Sequence, residues 1–67
     1  MFIILKKQNS ILNAAQCKEI NTLGKRLIFC PIDGRDMSVQ YETEEGAVTA
    51  LSQIAKALER GDNAISI

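Results

Sequence analysis

Sixty-seven residues make one domain at most, and a chain this short buries only about 60% of the surface its unfolded form exposes. With 46% hydrophobic and 24% charged residues, one proline and four glycines, the composition excludes disorder, collagen-like repeats and a disulfide mini-scaffold. Eight basic and eight acidic side chains cancel, which disfavours a general nucleic-acid binder.

The apolar run Met1-Phe2-Ile3-Ile4-Leu5 leads into Lys6 and Lys7. It predicts a strand over residues 1–7, with a turn at 8–10. Ile11-Leu12 continues as a short extended piece. Residues 13–16 stay open between extended chain and a helical turn capped by Asn13. A second long strand is expected over 17–23, with Ile20 on one face and Cys17, Asn21 and Leu23 on the other. Gly24-Lys25 suits a two-residue type II′ hairpin, which wants glycine at its first central position. The stretch 26–32 then reads as a strand that is apolar on both faces. Pro31 cannot donate to a ladder and belongs at an edge, a bulge or the strand end. Asp33-Gly34 is a hairpin signal, and 37–42 alternates with Met37, Val39 and Tyr41 on one face.

Thr43 is a good N-cap, and Glu44 and Glu45 follow in the first turn, where carboxylates favour the positive end of the helix dipole. The helix should run to about Arg60 and stop at Gly61. Ala47, Leu51, Ile54 and Leu58 form its apolar stripe, widened by Val48 and Ala55. Ala64-Ile65-Ser66-Ile67 alternates, leaving room for a short C-terminal strand. The expected fold is α+β: a small antiparallel β-meander of about four strands in a single domain, packed by one C-terminal amphipathic helix.

One helix covers one face of a sheet. Phe2 and Ile4 oppose Ile3 and Leu5, and Ile28 and Cys30 oppose Leu27 and Phe29, so the second face also needs cover. A second copy is the simplest cover, and a homo-oligomer is expected; an apolar face held for another protein is the alternative. Two cysteines are too few for a disulfide framework and read as reduced thiols, though a single bridge between Cys17 and Cys30 stays open. The charges at Lys6 and Lys7 follow the apolar run, the reverse of a signal peptide. No stretch approaches the roughly 20 apolar residues of a membrane span. A cytoplasmic location and no membrane partner follow as expectations.

Catalytic chemistry is poorly represented. Without histidine the usual general base and zinc ligand are missing. Asp33 with Asp36 reads as turn chemistry and Glu44 with Glu45 as capping. Gly24-Lys25-Arg26 lacks the rest of a phosphate loop. No enzyme, no metal and no cofactor are expected. Residues 1–35 nonetheless carry six basic and two acidic side chains, and residues 36–67 the reverse. Lys7, Arg26 and Arg35 lie near strand ends, where cations can converge on an anionic ligand.

The hydrophobic first strand, the two hairpins and the lead-in Tyr41-Glu42-Thr43-Glu44-Glu45-Gly46-Ala47 before a single helix resemble small ββββα proteins of bacteriophages and prophages of Gram-positive bacteria. By analogy of size and build, the resemblance implies an anti-defence sponge acting in the host cytoplasm. Such a protein sequesters a cyclic ADP-ribose derivative or a cyclic dinucleotide in pockets between subunits. Lys7, Arg26, Arg35 and Gln40 would then hold phosphate and ribose, with Tyr41 or Phe29 against the base. The other reading is a small homo-oligomeric interaction module that docks on a host or phage protein.

Overall fold

A computed structural model describes residues 1–67. The fold is α+β, with six strands and one helix: β1 (Phe2–Leu5), β2 (Ser10–Asn13), β3 (Cys17–Leu23), β4 (Arg26–Pro31), β5 (Met37–Gln40), α1 (Glu44–Arg60) and β6 (Ala64–Ser66). The antiparallel meander and the C-terminal helix expected from the sequence are both present. The strands divide into two three-stranded sheets, ordered β2-β1-β6 and β3-β4-β5. β1 therefore does not extend the meander. It pairs antiparallel with β2 and parallel with β6.

Several boundaries move for local reasons. The first strand ends at Leu5, because Lys6–Gln8 form a 3-10 turn closed by Asn9 at φ 51°, a left-handed conformation that asparagine tolerates. The open stretch after Asn13 is a 3-10 turn over Ala14–Gln16, and the Asn13 side chain accepts from the Ala15 amide at 3.0 Å. A bulge between Cys17 and Glu19 shifts the β3 register. Cys17 consequently packs against the core with Ile20 rather than facing away with Asn21 and Leu23.

Gly24 takes φ 61° while Lys25 keeps an ordinary negative φ, as a type II′ turn requires. Asp33-Gly34 does not close a two-residue turn: β4 and β5 are joined by the five-residue loop 32–36, with Gly34 at φ 99°. Pro31 sits at the end of β4, where its missing N–H costs no bond to β5.

The core lies between the sheets and α1. Ile3 and Leu5 from β1, Leu27 and Phe29 from β4, Val39 from β5 and Ala50 and Ile54 from α1 form one buried cluster. The side chains alternate strictly, so Phe2, Ile4, Ile28 and Cys30 point away from it. The face of β4 that carries Leu27 and Phe29 is covered by α1 and the first sheet together.

α1 begins and ends as its sequence dictates. The Thr43 hydroxyl accepts from the Gly46 amide at 3.0 Å, and Gly61 ends the helix at φ 72°. Its buried stripe is Ala47, Ala50, Ile54 and Ala57. The expected stripe was turned too far, because three alanines allow the helix to lie close on the strands. Val48 and Leu58 remain 54% and 56% exposed. No helix is long and apolar enough to cross a membrane.

Candidate functional site

Two surfaces gather chemistry. The first lies at the Arg26–Gln40 end of the β4–β5 hairpin, where Arg26 is the cross-strand partner of Gln40. The 3-10 turn after β1 folds onto it. Lys7 Nζ donates to the Gln40 carbonyl at 3.1 Å and stands 4.4 Å from the Tyr41 ring centroid, a cation–π geometry. Gln8 Nε2 donates to the Ser38 carbonyl at 2.7 Å. Tyr41 is half-buried, and desolvation holds its hydroxyl pKa above the usual value.

Lys7, Arg26, Gln40 and Tyr41 are thus brought to one end of the hairpin. Arg35 is not: it lies in the loop before Met37, at the other end of β5. Phe29 is also elsewhere, fully buried in the core at 0% exposure, so its ring stacks on no ligand of this chain. The side chains of Lys7 and Gln8 cap the outward carbonyls of β5 and tie the two sheets together. No cavity opens among these residues.

The second surface was not anticipated. Tyr41 N–H donates to the Lys25 carbonyl at 2.8 Å, which makes that position a hydrogen-bonded pair and sets the phase of the ladder. Leu27 and Phe29 therefore direct their backbone groups to β5, while Arg26, Ile28 and Cys30 direct theirs to β3. On β3, Glu19, Asn21 and Leu23 answer β4. The N–H and C=O of Ile20 and Thr22 point outward and bond to nothing else in the chain. β3 is the longest strand, with seven residues, and an edge of its sheet.

Beside this edge lies an apolar cavity of about 370 Å³ between Met1, Ala14, Ala15, Cys17, Ile20 and the exposed Leu58 of α1, with Lys18 and Glu19 at its rim. From Leu58 an apolar stripe runs back along α1 through Ala55 and Leu51 to Val48. The sequence held a signal for this surface: Val48, Leu51, Ala55 and Leu58 recur at spacings of three, four and three, a second seam beside the buried one.

The cysteines do not form a bridge. Cys17 faces the core and the cavity while Cys30 lies on the opposite face of the sheet, and both are free thiols. Desolvation raises the Cys17 thiol pKa; at Cys30, desolvation and then the nearby Asp36 and Glu19 carboxylates do the same. Neither is an activated nucleophile. No group of three His, Cys, Asp or Glu side chains could hold a metal ion, and no buried side-chain polar atom lacks a partner. No family model, curated protein or solved structure matches the chain.

Proposed function

We propose that the protein is a non-enzymatic protein-interaction module that binds an extended segment by strand addition to β3. One observation carries this reading: an open seven-residue edge lies directly beside an apolar cavity roofed by a helix. Main-chain bonds to Ile20 and Thr22 would supply affinity, and the cavity would accept alternate side chains of the incoming strand. Its lining is mostly apolar, with Lys18 and Glu19 as the only polar residues, fewer than a pocket uses to orient a small polar molecule.

A second reading is sequestration of a nucleotide-derived signal. The gathering of Lys7, Arg26, Gln40 and Tyr41 at one hairpin end favours it. Because no cavity opens there, a second copy would have to complete the pocket. The bacteriophage or prophage origin implied by the Tyr41–Ala47 lead-in belongs to this second reading.

Amide chemical-shift mapping separates the two. At a concentration where the chain is monomeric, extended ten-residue peptides with alternating apolar positions should move the amides of Ile20 and Thr22. Cyclic dinucleotides and cyclic ADP-ribose should leave those of Lys7, Arg26, Gln40 and Tyr41 in place. The opposite pattern would transfer the function to the nucleotide reading.

A further inference from the structure

We infer that the strand completing β3 is β3 of a second copy, so that two chains join across a two-fold axis through this edge and the adjoining flank of α1. The inference rests on the strand-addition reading above and names the occupant.

The edge is self-complementary. The bulge between Cys17 and Glu19 leaves Glu19–Leu23 as its regular part. With the two-fold at Asn21, Ile20 faces Thr22 of the second copy, and each of these pairs exchanges two backbone hydrogen bonds. The four outward-facing residues of the two edges are then all satisfied. Glu19 faces Leu23 of the second copy, an apolar side chain 62% exposed in the single chain. Across Glu19–Leu23 no like charges oppose one another.

The helices fit the same axis. α1 packs over β4 and β3. An axis midway between those strands is half a strand spacing from β3, and the two-fold is another half spacing beyond it. Two such helices stand antiparallel at about 9–10 Å, twice the ~4.8 Å strand spacing. Helices pack at 8–10 Å. The Leu58 end of the exposed seam looks onto β3, so in the antiparallel arrangement Val48 and Leu51 of one copy meet Leu58 and Ala55 of the other. A lone peptide on β3 would leave most of this seam in water, whereas a partner carrying its own helix at the same height covers it.

The area reaches the lower end of a stable interface. The chain exposes 4577 Å² over 67 residues, about 70 Å² each. Glu19–Leu23 and the seam comprise nine residues, holding on the order of 600 Å² per partner, against about 800 Å² in an interface of standard size.

The test is sedimentation and native mass spectrometry of the full chain beside Thr22→Pro and Leu58→Glu. The Thr22 amide faces outward, so proline there removes no internal ladder bond. The wild type should be a dimer. Each folded variant should dimerise at least about tenfold more weakly, ~1.4 kcal/mol. If Thr22→Pro fails to fold, Leu58→Glu decides alone, because that side chain is outside the core.

A dimer that withstands the substitutions overturns the inference, and so does a monomeric wild type. A monomer that still takes an apolar peptide at Ile20 and Thr22 overturns the inference and spares the strand-addition reading. A monomer that takes none overturns both.

Discussion

Phe29 illustrates how much one residue decides in a molecule this small. Its ring belongs to the buried cluster that also holds Ile3, Leu5, Leu27 and Ile54, and only nine residues are buried at all. Phe29→Ala should cost about 3–5 kcal/mol through lost transfer free energy and the cavity left behind. Leu58→Ala, on the exposed helix flank, should leave the single chain within about 0.5 kcal/mol. Urea unfolding at a concentration where the chain is monomeric measures both.

Titration supplies a second prediction at this scale. Burial raises the Cys17 and Tyr41 pKa values above 9.0 and 10.0. The neutral forms are thus favoured in the folded state. Their contribution is complete below the unfolded-state values and is lost as pH climbs from there through the folded-state values. The urea midpoint should hold steady below about pH 9 and decline above it. Cys17→Ser should make the onset of that decline shallower.

At the scale of elements, β5 shows how a sheet edge is closed without another strand. The outward carbonyls of Ser38 and Gln40 receive the Gln8 and Lys7 side chains, and the Lys7 ammonium is further held by the Tyr41 ring. Replacing both donors with alanine should cost about 1–2 kcal/mol of stability. It should also open a second edge, so that light scattering reports concentration-dependent association beyond the wild-type level. Unchanged scattering would show that the loop 32–36 and Tyr41 shield β5 without help.

The sequence made α1 legible from Thr43 to Gly61, because both ends are fixed by cap chemistry that acts within four residues. The Gly24-Lys25 turn was legible for the same reason. The rotation of α1 was not, since its apolar arc spans about half the circumference and only contact with the strands selects which part is buried. Arg26, Gln40 and Tyr41 could be placed together from hairpin register. The arrival of Lys7 depends on how the first sheet crosses the second, a contact spanning 33 positions in the chain. The β3 edge escaped notice because a free edge is a property of sheet order, which local patterns do not encode.

At the scale of the molecule, the last residues complete what the first begin. β6 pairs parallel to β1, with Ile65 beside Ile3. The Ile67 amide donates to the Ile4 carbonyl at 2.9 Å, and the Lys6 amide donates to the Ile67 carbonyl at 3.2 Å. A parallel pair needs a long connection, and here the whole meander and α1 supply it, so the first sheet cannot assemble until almost the entire chain is in place. Ending the chain after Asn63 removes two half-buried isoleucines, worth about 2–3 kcal/mol of apolar burial, and the β6 ladder with them. The loss should exceed that of any surface substitution, yet fall unevenly. Amides of β1 and β2 should lose hydrogen-exchange protection first, while those of β4, held between β3 and β5, should keep theirs longest. Equal loss in both sheets would mean that they fold as one unit and that the Lys7 and Gln8 clasp couples them more tightly than two side-chain hydrogen bonds suggest.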